Sequence, residues 1–445
     1  MNRAHPTVSG GEGWWQAFSQ RVIASRFLRH VGILTGGNAV STALGLVQGV
    51  LVARWLGPEL YGVAALVVSV PSVVYTIFDA RSSEASVRYL SEFHAKGERE
   101  RAVAICWLGY VIDLAVATVA FAGIVVLAPW ASRAVIRRPE TTWLVVLYGA
   151  GFLPRALVGT SYAVLASLGA FSTVAALGMA EALVRLVVVL GLILAGWGVA
   201  GVIWGNAVAM AVTGVAYTVP ALRLIRRAWG ALPWALTWGT LSGRQREIAR
   251  FLAYNDLYAL LGVIPKQLDV VLLGYFRTPS EVGYYKLAKS AAAAVGSLVG
   301  PLQSVAYPKL AQLSGLGDCV ALRVRTRQLA LHVGMPLGLA VVAGSVLVPF
   351  ALPVLVGDAY QPATLAAQFL LVGSAIWLGF FWLRPAYFAQ SRLPEWVSIS
   401  TVVVALSLVV YPVVVWQWGY LGLAVCWGLL QLLGHCLAAW RIWSR

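Results

Sequence analysis

The chain of 445 residues is 60% hydrophobic and only 11% charged, with a mean hydropathy of +0.79. Soluble domains carry about 25% charged residues, so this composition excludes a soluble protein with buried core helices. The formal net charge of +16 would suggest nucleic-acid binding in a soluble protein, but the positions of the charges, described below, explain it without a nucleic acid.

Apolar stretches follow one another along the whole chain, and about twelve of them reach the roughly 20 residues that a helix needs to cross a bilayer. They fall at 31–53, 60–78, 102–127, 143–165, 174–195, 199–222, 251–273, 282–306, 328–355, 363–383, 397–416 and 420–440. This pattern predicts an all-α, polytopic membrane protein with about 12 transmembrane helices. The predicted halves are two six-helix bundles at 31–222 and 251–440.

Polar segments precede, separate and follow these bundles. Residues 1–30 form a tail in which Trp14, Trp15, Phe18 and Val22 have helical spacing. An interfacial helix and a disordered tail are equally compatible with that spacing. Residues 223–250 mix basic residues with tryptophans, which indicates an amphipathic connector on the cytoplasmic membrane surface, and 441–445 form a short tail.

The basic residues of the loops are distributed asymmetrically if the helices alternate in direction. If the N-terminus is cytoplasmic, all but five of the arginines and lysines in the loops and tails lie on the inner side. The five in the outer loops are Arg54, Arg133, Arg137, Arg138 and Arg277. Cytoplasmic loops of membrane proteins carry such an excess of positive charge. We therefore expect both termini in the cytoplasm, and no nucleic-acid partner is needed to explain the charge.

The two halves share a motif at a constant offset. VARWLGPELYG at 52–62 follows the first span, and LGYFRTPSEVG at 273–283 follows the seventh. Pro58 and Gly62 align with Pro279 and Gly283 at an offset of 221 residues, which also aligns two charged inner loops. Because each half has an even number of spans, both copies enter the membrane from the same side. The sequence thus predicts a parallel repeat around a central cleft, where transporters bind their substrates.

Charged residues inside the predicted spans are the candidate site residues, because a charge in hydrocarbon costs several kcal/mol unless it faces a cavity or a partner. In the first half, Arg155 and Arg185 lie at similar depth, and Glu181 shares a helix face with Arg185. We expect Glu181 to hold Arg185. A purely structural ion pair with one additional buried arginine is the alternative.

In the second half, Lys286 and Lys289 share one helix face, and Lys266 and Asp269 share another. The short outer loop between these spans places all four in the outer third of the bilayer. Three cations and one carboxylate need water or an anionic guest, so we expect a cavity there. Lysines that extend toward the outer surface are the alternative.

Two further carboxylates, Asp113 and Asp256, lie within predicted spans without an obvious local partner. Buried carboxylates with raised pKa carry protons or bind sodium, so these two are the candidates for a coupling ion, H+ or Na+. Hydrogen bonding to a neighbouring helix is the alternative for each.

Motifs of soluble catalysis are missing from the sequence. The chain contains no Gly-Lys dipeptide and therefore no phosphate-binding loop of the Gly-Lys-Ser/Thr kind, and its four cysteines lack metal-ligand spacing. No segment between the spans is long enough for a catalytic domain. We expect a protein that is not an enzyme, with no cofactor and no metal.

Three short segments carry a family resemblance: LVARWLGPELYG at 51–62, SVRYLSEF at 86–93 and VGYYKLA at 282–288. In these segments the chain resembles the polysaccharide transporter family of lipid-linked oligosaccharide flippases. That family belongs to the superfamily that also contains multidrug exporters and peptidoglycan-precursor flippases. The resemblance implies two helical bundles with twelve to fourteen spans.

The resemblance also implies a function: moving an undecaprenyl-diphosphate-linked glycan from the inner to the outer leaflet of a prokaryotic plasma membrane. Its implied partners are this glycan lipid, membrane lipids, a polysaccharide polymerase and glycosyltransferases. A cation-coupled multidrug exporter of the same superfamily is the main alternative. A membrane glycan polymerase or ligase is a third, disfavoured because the largest outer loop, 128–142, contains no histidine.

Overall fold

The computed structural model of the protein describes the backbone of residues 10–78, 82–230, 238–316 and 319–444. Side chains are described over the same ranges except at 10–31, 33, 34, 82, 84, 238, 251–266, 304, 305 and 319. Within these ranges there is no β-strand, and the α-helices are as follows: α1 (Gly10–Phe78), α2 (Ser82–Ala95), α3 (Arg99–Ala134), α4 (Thr142–Ala150), α5 (Phe152–Ser167), α6 (Phe171–Leu194), α7 (Gly198–Trp229), α8 (Gln245–Phe276), α9 (Pro279–Gly296), α10 (Val299–Gly315), α11 (Cys319–Leu329), α12 (Met335–Ser345), α13 (Val348–Val356), α14 (Ala363–Gly379), α15 (Leu383–Ala389) and α16 (Leu393–Trp443).

Eight helical segments of the described chain are long and apolar enough to cross a membrane. Two of them, Thr35–Phe78 and Leu393–Trp443, each consist of two helices joined at a kink. The kinks lie at Gly57 and Gly419, where φ is 71° and 59°, a conformation that glycine adopts without steric cost. The all-α, polytopic architecture is thereby confirmed, while the count of twelve spans stays a prediction.

The outer surface of the helices is strongly apolar. Val126, Phe350 and Val354 are 78%, 74% and 74% exposed, and many other large aliphatic and aromatic side chains are also exposed. Contiguous apolar surface on this scale is unfavourable in water and matches the hydrocarbon of a bilayer. The protein is therefore a multi-pass membrane protein.

The two halves meet where the shared motif recurs. A Cβ on Gly62 would collide with the backbone of Pro279 and Gly283, and a Cβ on Gly283 would collide with the backbone of Pro58. The contact is thus reciprocal, as expected for repeat-related segments that pack about a pseudo-two-fold axis. It joins α1 to α9 at the ends that the charge asymmetry assigns to the outer face.

A separate contact joins the halves at the opposite end. Arg244, at the start of α8, donates to Glu92 on α2 at 2.6 Å and stacks over Tyr89 and Phe93 at 5.5 Å. Hydrogen bonds from Arg244 and then from Lys96 lower the pKa of Glu92 to about 2. The first turn of α8 is therefore held on the N-terminal half.

The connector is shorter than the predicted 223–250. Helix α7 continues to Trp229, because Ile225 and Trp229 are buried and Trp229 packs edge-on against His94 of α2. A short 3-10 helix covers Trp238–Leu241, and helix α8 begins at Gln245. In the predicted tail, helix α1 already begins at Gly10; the location of this tail in a membrane interface stays a prediction.

We predict that Gly62→Ala destabilises the protein, because its new methyl group would overlap the Pro279 backbone, which cannot rotate away as a side chain can. Overpacking of this kind costs about 1–3 kcal/mol. Gly191→Ala on α6 is the control, since nothing lies within 4 Å of its Cβ, and alanine favours a helix over glycine by about 1 kcal/mol. Thermal unfolding of the detergent-solubilised protein should give a lower Tm for Gly62→Ala only; equal Tm values would contradict the packing.

Candidate functional site

The first charged cluster lies between α5 and α6. Arg155 on α5 donates from Nη1 to Oε1 of Glu181 on α6 at 2.7 Å. The Glu181 side chain is 19% exposed and that of Arg155 is 39% exposed. The expectation that Glu181 holds Arg185 is wrong: four-residue spacing puts those two on one helix face, but the partner comes from the neighbouring helix.

Arg185 has no hydrogen-bond or ion-pair partner among the described side chains. Its Nη2 atom lies beside α1, only 3.7 Å from where a Cβ of Gly45 would stand. Glycine at this position leaves room for the guanidinium against the α1 backbone. The Arg155–Glu181 pair is therefore electrically neutral, and Arg185 provides the uncompensated positive charge of this cluster.

The second charged cluster lies between α8 and α9 and is centred on Asp269. This carboxylate is fully buried. It accepts hydrogen bonds from the Tyr285 hydroxyl at 2.8 Å, from Lys289 Nζ at 2.5 Å and from the backbone N–H of Val270 at 2.8 Å. These three donors compensate for the desolvation of the carboxylate. Lys289 is thus held by Asp269.

Lys286 lies one helical turn before Lys289 and is partly exposed. Its ammonium group has neither a hydrogen bond nor an ion pair within the described part of the chain, and its charged neighbours are Lys289 and Asp269, which neutralise each other. Lys286 is therefore the counterpart of Arg185 in the C-terminal half. Among the described side chains, each cluster contains one ion pair and one cation without a carboxylate partner.

Helix α1 connects the two clusters. Tyr61 on α1 lies beside Ser290, the residue that follows Lys289 on α9. The Tyr61 hydroxyl also lies 3.9 Å from where a Cβ of Gly49 would stand. Gly45 and Gly49 are one turn apart on one helix face, so Arg185 and the Tyr61 hydroxyl lie about 6 Å apart along the α1 axis. The two clusters thus flank the same face of α1.

Asp113, a predicted coupling-ion residue, is hydrogen-bonded to a neighbouring helix. Asp113 on α3 accepts hydrogen bonds from the hydroxyl of Thr160 on α5 at 2.7 Å and from its backbone N–H at 3.2 Å. No group of three potential metal ligands occurs among the described residues. The side chains of Asp256 and Lys266 lie outside the described residues, and a coupling-ion role for either carboxylate stays a prediction.

Sequence reasoning missed the uncharged members of the site. Tyr285 donates a hydrogen bond to Asp269, and Tyr61 and Ser290 lie beside each other near the clusters, yet tyrosine and serine are too common in spans to stand out. A signal was present for two of them: Tyr285 directly precedes Lys286, and Tyr61 lies within the repeated motif.

Comparison with known proteins agrees with this architecture. The family model for "Polysaccharide biosynthesis protein" matches residues 27–314, so the chain belongs to that family. No curated protein matches the chain.

Solved structures show the same fold at low sequence identity. An inward-facing multidrug resistance MATE transporter of the MOP superfamily is similar with a TM-score of 0.73 and 13% identity, over 91% of this chain and 95% of that one. The lipid II flippase MurJ in an inward closed conformation gives 0.71 and 12% identity, over 92% and 87%. The Vibrio cholerae MATE transporter VcmN gives 0.63 and 15% identity, over 96% and 97%. The protein thus shares the fold of these transporters and of this flippase.

We predict that the two neighbouring lysines differ in their contribution to stability. Lys289→Met leaves the buried Asp269 carboxylate without its cation, and breaking such a pair costs about 3 kcal/mol, at the lower end of the usual range because Lys289 is 24% exposed. Lys286→Met breaks no pair and removes a charge that has no carboxylate partner among the described side chains, so the free energy of unfolding should not fall. Unfolding in mixed micelles measures both; equal losses would show that the pairing is not as described.

Proposed function

We propose that the protein is a flippase for a lipid-diphosphate-linked oligosaccharide, such as an O-antigen, capsule or exopolysaccharide repeat unit. The substrate moves from the inner to the outer leaflet of a prokaryotic plasma membrane as the two halves alternate in access. The observation that carries the proposal is the pair of cations without a carboxylate partner among the described side chains, Arg185 and Lys286, one from each half and both near α1.

The net charge of the two clusters matches the charge of a diphosphate. Counting the described side chains, Arg155 and Arg185 with Glu181 leave a net charge of +1, and Lys286 and Lys289 with Asp269 leave another +1. A diphosphate that links a lipid to a sugar carries two negative charges. It cannot cross hydrocarbon unaided, and a guanidinium and an ammonium replace its hydration by charge-assisted hydrogen bonds.

The position of the interface between the halves is compatible with entry of the substrate from the inner side. Since α1 and α9 pack backbone to backbone at the predicted outer ends, the substrate would enter from the inner side in this state. Both termini would then be cytoplasmic, and the polymerase that consumes the flipped glycan would act at the outer leaflet. Glycosyltransferases that build the repeat unit would act at the inner leaflet.

A cation-coupled multidrug exporter is the second candidate, favoured by the likeness to MATE transporters. In that function Asp113 would release its hydrogen bonds from Thr160 to bind the coupling ion. Drug susceptibility separates the two functions: loss of the gene should sensitise cells to cationic drugs if the protein exports them, and should leave susceptibility unchanged if it flips a glycan.

We predict that Arg185→Gln and Lys286→Met each abolish surface glycan while the protein remains present in the membrane at its normal level. Each change removes one of the two charges that hold the diphosphate without breaking an ion pair. Surface glycan is measured by lectin or antibody labelling of intact cells, and accumulated lipid-linked glycan by extraction. Arg133→Gln, at an exposed outer position, is the control and should export normally; full export by Arg185→Gln and Lys286→Met would refute the assignment.

A further inference from the structure

Two arginines of the N-terminal half reach across to the C-terminal half at the outer end of the molecule. Arg54, near the end of the first helix of α1, donates from Nη1 to the carbonyl oxygens of Val354 at 3.3 Å and Leu355 at 3.4 Å. Arg137, in the loop after α3, donates from Nη2 to the carbonyl oxygen of Tyr275 at 3.0 Å. A third contact runs the other way, from the Tyr360 hydroxyl to the Ala53 carbonyl at 3.0 Å.

The acceptors share a feature: they lie in the last turns of α13, which ends at Val356, and of α8, which ends at Phe276. Carbonyls in the last turn of a helix have no partner within the helix, and the helix dipole adds negative charge there. A guanidinium is therefore well suited to bind them. Unlike a carboxylate partner, these carbonyls regain most of their hydrogen bonding from water once the guanidinium leaves, so the contact can open at moderate cost.

The backbone at Arg137 is arranged for this contact. Its φ of 59° is in the left-handed region, which a residue with a Cβ rarely adopts. The neighbouring residues enforce this conformation: Ile136 is fully buried, the backbone N–H of Arg138 bonds to the carbonyl of Ser132 at 2.9 Å, and the Arg138 side chain pairs with Glu59. An uncommon backbone conformation enforced by its surroundings points to a function for the side chain that it directs.

The repeat explains why the contacts come as a pair. At the offset of 221 residues, Tyr275 corresponds to Arg54, and the segment at 354–355 corresponds to the segment that ends α3. Each contact thus joins the outer end of the first helix of one half to a segment of the other half: the last turn of α13 in one case and the loop after α3 in the other. The two arginines hold the two equivalent edges of the interface, with the Gly62–Gly283 contact between them.

We propose that Arg54 and Arg137 form an outer clasp that keeps the two halves closed toward the outside, and that its release permits the outward-open state. The proposal rests on the alternating access of the proposed function, but it concerns the conformational equilibrium and not the substrate. Loss of the clasp shifts the resting population toward the outward-open state.

The test is a distance measurement on the full-length protein in lipid nanodiscs. Spin labels on Glu140→Cys and Gln361→Cys, two exposed outer positions in opposite halves, are introduced into a variant without native cysteines. Double electron–electron resonance should show mainly a short distance in this background. In Arg54→Met/Arg137→Met the ratio of long to short distances should rise at least about tenfold, as expected for the loss of a hydrogen bond from a charged group.

Arg133→Met is the matched control, because Arg133 is exposed at the same outer end and has no partner among the described residues. A double variant that gives the same distance distribution as Arg133→Met would overturn the proposal. If the double variant does not reach the membrane, each single variant should show a smaller shift in the same direction, and unchanged distances in both would equally overturn it.

A second readout needs no purified protein. Ser290→Cys, half-buried near the closed end of the interface, should react faster with a membrane-impermeant thiol reagent added outside cells when Arg54 and Arg137 are both replaced. An unchanged reaction rate would contradict the clasp. Neither readout involves a glycan, so failure of the clasp and failure of the proposed flippase function give different results.

Discussion

The backbone contact between Gly62 and Gly283 determines how the rest of the molecule is arranged. Because neither residue has a side chain, α1 and α9 approach closely at the outer ends of the two halves. That approach closes the interface at the outer ends of the two halves. It also determines where the charged groups of α1 and α9 lie along the membrane normal. Without it, Tyr61 would not reach Ser290, and the two charged clusters would not flank the same helix face.

Within that arrangement, ion pairing separates the charged residues into two kinds. Arg155 is held by the partly exposed carboxylate of Glu181 and Lys289 by the buried carboxylate of Asp269, and both pairs stabilise helix packing. Arg185 and Lys286 remain uncompensated, which is costly in a low-dielectric interior unless an anion binds. Each half contains one residue of each kind, so among the described side chains each half contributes one unpaired positive charge. This symmetry suits a ligand with two adjacent negative charges.

The sequence was sufficient to predict the features that depend on hydrophobicity and local geometry. The apolar spans, the parallel repeat at Pro58 and Pro279 and the intramembrane cations follow from length, offset and charge, and of these predictions the all-α, polytopic architecture is confirmed. The partner of Glu181 did not follow, because residue spacing identifies neighbours on one helix but not the side chain that an adjacent helix supplies. The sequence did not reveal that α7 continues to Trp229, for a similar reason. The last turns of α7 are basic, and only the packing of Ile225 in the structure shows why they are helical.

The central claim, that the two uncompensated cations bind a lipid diphosphate, is tested most directly by native mass spectrometry of the purified protein. Undecaprenyl diphosphate, undecaprenyl monophosphate and undecaprenol are compared as ligands at equal concentration. The unmutated protein should prefer the diphosphate, and Arg185→Gln/Lys286→Met should lose this preference while Arg133→Gln retains it. Equal binding of diphosphate and monophosphate by the unmutated protein, or an unchanged preference in the double variant, would contradict the account.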